Sequence, residues 1–566
     1  MRNDFLKKYQ PYPFRIEKPN RSWPNKTITK SPIWCSVDLR DGNQALVDPM
    51  TVNEKLIFFK LLVDLGFKEI EVGFPSASLT DFQFTRRIIE EKLIPDDVAI
   101  QVLVQCRPHL IARSFEAIAG AKNVIFHFYN STSELQRRVV FKKDKNGIKD
   151  IALLGANLVF EGAKNFSGNL MPEYSPESFT GTEIDFTLEV CEAVQKVFSV
   201  SKEKPIIFNL PSTVEMSTPN AYADLIEYFH ENIPNRDGVI LSLHTHNDRG
   251  TGVAASELGL LAGADRIEGT LLGNGERTGN ADLLCLALNL YSQGIDPELD
   301  LHDLDRIIQV YEQCNKMKVH ERSPYAGSLV YAAFSGSHQD AIRKGFAYQK
   351  QSKSVLWQVP YLPIDPSDLG RTYESVIRIN SQSGKGGVAF ILEREYGLQI
   401  PKEMHFEISR LVQDFADATG KEVTSEEIFA ILSREYINQS ELAKHVHFSL
   451  SQTLEQNLTD LKWTIITGSK ERTLKGLGNG PLHAACDALQ KSGIVDLNIL
   501  NFFEHSLSEG SDSEAVSYIE AQDSFGNITW GVGKSRNSSE APILALLSCV
   551  NRLLKMRNAS LARTPS

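Results

Sequence analysis

The run Leu243-His244-Thr245-His246-Asn247-Asp248-Arg249-Gly250 holds the residues best suited to chemistry, a His-x-His pair. It follows Val239-Ile240-Leu241, a β-branched and apolar run that reads as a buried strand entering a turn. Residues two apart in a strand point the same way, so His244 and His246 send their imidazoles to one side. Two imidazoles converging at a strand end suit a divalent ion such as Zn²⁺ or Mn²⁺. Taken alone, the pair is better explained by one packed and one solvated histidine. The other ligands must therefore come from elsewhere in the chain.

The elements that carry such a pair are legible from residue 33 to about residue 280. Short apolar runs there alternate with longer amphipathic stretches. The predicted strands are residues 33–37, 69–73, 99–104, 123–128, 157–161, 205–209, 238–244 and 266–271, with helices between them such as 53–65 and 254–262. About eight alternations over some 250 residues predict an α/β fold of the TIM (β/α)8 barrel type rather than an open doubly wound sheet. In such a barrel, chemistry gathers where the strands end. Polar residues do cluster there: Asp38-Leu39-Arg40-Asp41-Gly42-Asn43-Gln44 after the first strand, His127 and Asn130 at the fourth, and Asn209-Leu210-Pro211-Ser212-Thr213-Val214-Glu215 after the sixth. The eighth leads to Gly273-Asn274-Gly275-Glu276-Arg277-Thr278-Gly279-Asn280. From these ends Asp41 offers a carboxylate and Asn274 or Asn280 an amide oxygen to complete a catalytic rather than a closed structural metal site. Arg40 would face away from Asp41 in an extended segment, whereas a turn would let it reach a developing oxyanion.

Past residue 300 helical patterns take over. Residues 363–372 form a polar loop, and 381–387 (Ser-Gln-Ser-Gly-Lys-Gly-Gly) lack phosphate-loop spacing and read as a glycine hinge entering a helix. Helices are predicted at 387–397 and 402–418, and Thr424-x-x-Glu427 is a capping box for another. After about residue 440, strands at 461–467 and 515–522 and helices at 481–490 and 542–554 make a small α+β domain. Pro481 suits the first position of its helix. The resulting scheme is an N-terminal extension (1–30), a barrel (31–325), a helical linker region (326–435) and a C-terminal α+β domain (436–566), with residues 558–566 frayed.

Composition sets outer limits. A chain of 566 residues is too long for one core. Its 42% hydrophobic and 23% charged content is that of a soluble globular protein. A net charge of −11 argues against nucleic acid or an anionic membrane as partner. No apolar run approaches the ~20 residues of a spanning helix, and the N-terminus lacks the apolar core of a secretory signal. Seven scattered cysteines without a Cys-x-x-Cys pair point to reduced thiols in the cytoplasm.

The three barrel motifs, Asp38–Gln44, His244–Asp248 and Gly273–Asn280, resemble the signatures of the 2-isopropylmalate synthases and of the wider group with homocitrate and citramalate synthases and hydroxymethylglutaryl-CoA lyase. The run Trp357-Gln358-Val359-Pro360-Tyr361-Leu362-Pro363-Ile364-Asp365-Pro366 and the linker 381–387 resemble the longer bacterial and fungal synthases more specifically. The resemblance implies condensation of acetyl-CoA with 2-oxoisovalerate and water to 2-isopropylmalate and CoA, the committed step of leucine biosynthesis. It implies Asp41, His244, His246 and Asn280 as ligands of a divalent metal (Mg²⁺, Mn²⁺ or Zn²⁺), with K⁺ as a candidate activator. Arg40, Glu177, His338 and Tyr373 then match catalytic groups, and His127, Ser175, Asn209, Pro211 and Thr213 match the substrate pocket. It further implies a homodimer in which one subunit's linker reaches the other's barrel, and a leucine-binding regulatory role for the C-terminal domain. Gly478–Pro481 and Trp530–Gly533 follow that domain's pattern, while Lys534, Arg536 and Glu540 depart from it.

Overall fold

The computed structural model describes residues 8–333, 335–352, 354–371, 385–419, 423–453, 458–508 and 513–561, so Tyr373 and the rest of 372–384 lie outside the described residues. Two compact units divide the chain: Met1–Val330 with Ile364–Thr372, and Tyr331–Pro363 with Tyr373–Ser566.

The first unit is a closed parallel barrel of eight strands. These are β1 (Ile33–Ser36), β2 (Glu69–Gly73), β3 (Ala99–Gln105), β4 (Asn123–Ser131), β5 (Asn169–Glu177), β6 (Ile206–Ser212), β7 (Val239–Thr245) and β8 (Arg266–Gly269). β8 pairs back onto β1 from Ile33↔Arg266 to Ser36↔Gly269. A helix follows each strand: α1 (Val52–Asp64), α2 (Leu79–Glu90), α3 (Pro108–Ile118), α4 (Lys145–Ala163), α5 (Ile184–Phe198), α6 (Pro219–Asn232), α7 (Gly252–Leu261) and α8 (Leu283–Tyr291). Local sequence explains several of their starts. Thr51 and Glu54 form a reciprocal capping box on α1, and Pro108 and Pro219 open α3 and α6 where no amide partner is needed.

The fifth strand corrects the sequence reading. Residues 157–161 belong to α4, whose buried residues Ile148, Ala152, Gly155, Ala156 and Val159 recur at helical spacing. Gly155 lets α4 pack tightly, since an added Cβ would lie 2.4 Å from Cys106 Sγ. The true β5 carries Pro172 and Pro176, which lack the amide donor a strand normally offers. It pairs with β4 from Asn123↔Asn169 to Ser131↔Glu177, but with β6 only at Glu173 and Tyr174.

The second unit begins with a helical part: α10 (Gly336–Ser352), α11 (Lys385–Tyr396), α12 (His405–Thr419) and α13 (Ser425–Glu435), after α9 (Leu304–Asn315) of the first unit. Leu392, Met404, Ile408, Val412, Ile428 and Leu432 share one core there. Two sheets follow, each closed by one helix: β9 (Ala443–Thr453), β10 (Leu458–Thr467) and β11 (Lys470–Gly478) with α14 (Pro481–Ser492), then β12 (Leu497–Ser506), β13 (Ala515–Asp523) and β14 (Ile528–Ser535) with α15 (Ala541–Leu561). The same device seats both helices. A Cβ on Gly476 would lie 1.9 Å from Ala484 O, and one on Gly533 1.9 Å from Ala541 O, so only glycine permits the strand–helix approach. Among the described residues no helix is long and apolar enough to cross a membrane. All seven cysteines are free thiols.

Candidate active site

The chain leaves β1 in a wide helical turn, Asp38–Gly42, in which Gly42 N donates to Val37 O at 3.2 Å. That turn answers the question left by the sequence. Arg40 and Asp41 do not alternate as in a strand; both face the barrel mouth, and Arg40 Nη1 donates to Asp41 Oδ1 at 2.6 Å. Asp38 anchors the turn from the other side, its carboxylate accepting Leu271 N and Ser36 Oγ. His244 and His246 project together as expected, with ring centroids 5.3 Å apart. Their Nε2 atoms lie 3.6 and 3.7 Å from Asp41 Oδ2.

These three buried side chains form a group that can hold a divalent metal, with ligand atoms within 4.8 Å of one another. Two further observations fit an ion. His246 Nδ1 and Asn280 Oδ1 are buried without a hydrogen-bond partner among the described residues, a costly arrangement for polar atoms unless something else satisfies them. His244 Nδ1 is held by Glu268 Oε2 at 2.7 Å, the carboxylate–imidazole arrangement that orients a metal-binding histidine through its other nitrogen. Of the two asparagines, Asn280 sits beside Asp41, donating Nδ2 to Asp41 Oδ2 at 2.7 Å, while Asn274 turns its amide to Gly42 O at 3.0 Å.

Charge is polarised around this point. Burial alone would raise the Asp41 carboxyl, but the Arg40 guanidinium and the two imidazoles hold it well below the usual carboxylate range. Burial opposes charge on His244, yet its contacts with Asp41 and Glu268 raise it to about 9. His246, buried and next to His244, is lowered to about 4.

A cavity of about 260 Å³ opens beside the trio, lined by Arg40, Asp41, His127, Ser175, Glu177, Asn209, Pro211, Thr213, His244 and His246 among others. Ten of the thirteen residues singled out in the sequence therefore meet at one mouth. His127 Nε2 and Ser175 Oγ are 2.7 Å apart, and Asn209 Nδ2 donates to Ser175 Oγ at 3.1 Å and to Glu268 Oε2 at 2.9 Å. Thr213 Oγ1 accepts the Ser178 amide at 2.9 Å, which leaves its own O–H free to point elsewhere. Phe74, Leu103 and Pro211 supply apolar wall. The Glu177 carboxylate has no hydrogen bond or ion pair among the described residues, and burial raises it with Arg40 opposing. His338 lies in the second unit, exposed near the start of α10 and stacked on Tyr361 at 4.1 Å. Tyr373 falls outside the described residues.

Sequence reasoning missed a charged layer inside the barrel. Glu71 accepts Arg40 Nε at 2.5 Å and faces His127 Nδ1 at 3.1 Å. Gln101 donates to Glu71 and Glu268, and Arg266 donates to Glu268, Gln101, Ser242 and Glu69. Glu173 is fully buried beside His127 and Arg266, each 3.5 Å away, and desolvation pushes its carboxyl well up. A signal existed: counting back by two from His244, Ser175 and Glu268 reaches Ser242, Glu173 and Arg266, all on the same inward face.

The second unit has its own cavity of about 570 Å³, lined by the start of α14 (Gly480–Leu482, Cys486), by β12 (Leu497, Ile499, Phe502) and by Ser538, Ser539 and Pro542.

Residues 31–310 match the HMGL-like family, 328–393 the alpha-isopropylmalate synthase post-catalytic domain-like family, and 422–554 the LeuA allosteric (dimerisation) domain. A hydroxymethylglutaryl-CoA lyase structure from Pseudomonas aeruginosa is 21% identical and covers 52% of this chain and 96% of its own, with a TM-score of 0.43. A 2-isopropylmalate synthase of Clostridium acetobutylicum is 54% identical over 554 residues, covering 96% of this chain and 99% of that one. One from Mesorhizobium japonicum is 52% identical over 553 residues, covering 97% and 99%. Identity above one half over alignments that span nearly the whole chain means that this chain belongs to the 2-isopropylmalate synthases.

Proposed function

We propose that the barrel mouth condenses acetyl-CoA with 2-oxoisovalerate and water to 2-isopropylmalate and CoA, using the side chains gathered there. The observation that carries the assignment is the pairing of a metal-capable trio with a half-buried carboxylate, Glu177, that has no partner among the described residues, in a single 260 Å³ cavity. Asp41, His244, His246 and the Asn280 amide oxygen would hold a divalent ion, which when bound supplies Lewis acidity to the keto group of the oxoacid. The Thr213 hydroxyl, one of whose lone pairs accepts Ser178 N, donates to the substrate carboxylate. His127, Ser175 and Asn209, linked by hydrogen bonds, form the polar wall beside it. Phe74, Leu103 and Pro211 receive the isopropyl group.

Glu177 takes the α-proton of the acetyl thioester: Asp41, Glu71 and Glu268 are tied to cations, Glu276 is exposed to solvent, and Glu177 is half-buried with no cation partner among the described residues. The acetyl carbon then attacks the keto carbon, and Arg40 stabilises the alkoxide that forms. That alkoxide takes up a proton, and water cleaves the thioester to release CoA as the free thiol. His338 and Tyr373 complete the acid–base set from the linker of a second copy, in a homodimer supported by the match to the LeuA dimerisation domain. The free cysteines and the absence of a spanning helix among the described residues support a cytoplasmic setting.

Leucine is the proposed effector of the C-terminal cavity. None of the three charges that depart from the family pattern lines it: Lys534 pairs with Glu514 at 2.9 Å, Glu540 accepts Ser535 Oγ at 2.6 Å and faces His445 Nε2 at 3.2 Å, and Arg536 is exposed. The reaction is tested by supplying ¹³C-acetyl-CoA with 2-oxoisovalerate and identifying the product by mass spectrometry. Labelled 2-isopropylmalate is expected; a product formed only from another 2-oxoacid would move the assignment.

A further inference from the structure

The turn that carries Arg40 and Asp41 rests on a residue that plays no part in the chemistry above. Lys55, on α1, is fully buried, and its ammonium has three acceptors. They are Leu39 O at 2.6 Å, Val72 O at 3.1 Å and Asp81 Oδ1 at 2.5 Å. Three donors meet three acceptors, so this charge is satisfied inside the protein. Each acceptor belongs to a different piece of the first-to-second strand end. Leu39 lies in the turn itself, Val72 at the end of β2, and Asp81 in the first turn of α2. Asp81 extends the link, since its Oδ2 accepts Phe74 N at 2.8 Å and Phe74 lines the cavity. The carboxylate fits there because Gly73 has no side chain: at φ +155°, an added Cβ would lie 2.6 Å from Asp81 Cγ.

We propose that Lys55 and Asp81 are positioning residues that fix the Asp38–Gly42 turn and thereby aim Arg40 and the Asp41 carboxylate at the metal-binding point. The Leu39 carbonyl immediately precedes Arg40 in the chain, so holding it fixes the peptide from which both side chains depart. With Asp38 bound to Leu271 N on the opposite flank, the turn is clamped from both sides by buried polar groups. The inference rests on the ligand assignment made above for Asp41, His244 and His246.

The test compares Mn²⁺ binding by metal-stripped enzyme with thermal unfolding in four proteins: the parent, Lys55→Met, Lys55→Met/Asp81→Asn and His246→Ala. Free Mn²⁺ is counted by electron paramagnetic resonance, without reference to turnover. Lys55→Met leaves Asp81 buried and unpaired and loses stability; the double variant removes that charge and keeps the acceptor for Phe74 N. If the pair positions the turn, the double variant melts within about 4 °C of the parent yet binds Mn²⁺ about 10-fold or more weakly, as loss of groups behind a metal ligand does. Recovery of Mn²⁺ affinity together with stability overturns the proposal, as does failure of the double variant to fold. Unchanged Mn²⁺ binding by His246→Ala would instead overturn the ligand assignment, which separates the two failures.

Discussion

The two cavities of this chain are built on opposite plans. The barrel cavity is the smaller, about 260 Å³ against 570 Å³, and several polar groups in its wall are backed by other buried ones. Arg40 leans on Glu71, His244 on Glu268, Ser175 on His127 and Asn209. The C-terminal cavity draws on two helix starts and a sheet edge, and its wall is largely apolar or small, with Glu504, His483 and Cys486 as its titratable groups. Chemistry needs charges held at fixed positions against their solvation cost, and that requires layers of supporting groups. Binding a small ligand needs only a shaped apolar surface and a few polar contacts.

If this contrast is right, single changes in the barrel should act on rate, and single changes in the second cavity on regulation. The largest effect is expected from Asp41→Ala, which removes a proposed ligand and one of the two carboxylates paired with Arg40. Loss of several kcal/mol of transition-state stabilisation corresponds to a fall of about 1,000-fold or more in kcat/KM, measured beside the metal content of the purified variant. Next comes Glu177→Gln, expected to lower kcat by about 10²- to 10⁴-fold. Its pH profile gives a sharper check. The carboxyl is raised by burial above its ordinary 4.5, and it must be ionised to accept a proton. Parental activity should therefore fall as pH drops through an inflection above 4.5, and Glu177→Gln should lose that limb while keeping any other.

Smaller effects belong to the second cavity. Ser538→Trp should fill part of it and weaken leucine inhibition by about 10-fold, the worth of about 1.4 kcal/mol of lost binding, as read from inhibition curves. Lys534→Ala should change that inhibition least, within about 2-fold, because Lys534 is engaged with Glu514 and does not line the cavity. A large effect of Lys534→Ala would break the contrast by putting charge back into the effector site.

Much of the barrel was legible because its strands are apolar runs that end in polar residues. The His-x-His pair needed only strand geometry. The fifth strand was not legible, and the reasons are particular. Leu158, Val159 and Phe160 make an apolar run within α4, of which only Val159 belongs to the buried face, whereas the true strand carries two prolines and a glutamate at its middle. Even so, the family resemblance singles out Ser175 and Glu177 in that stretch. Two further features lay beyond single-residue reasoning. The Arg40–Asp41 geometry depends on a helical turn held by Lys55 from another element, and the charged layer of Glu71, Glu173, Arg266 and Glu268 is stable only because distant strands bring opposite charges together.

The central claim is that this mouth performs a metal-dependent condensation selective for 2-oxoisovalerate. The most direct measurement is thiol release from acetyl-CoA with 2-oxoisovalerate, with and without chelator, beside pyruvate and 2-oxobutanoate. The account predicts turnover that chelation abolishes and a divalent ion restores. It also predicts a preference for 2-oxoisovalerate of about 10-fold or more over the smaller acids, which is what one or two methyl groups can provide in an apolar pocket. Turnover indifferent to chelation, or best on pyruvate, would contradict it.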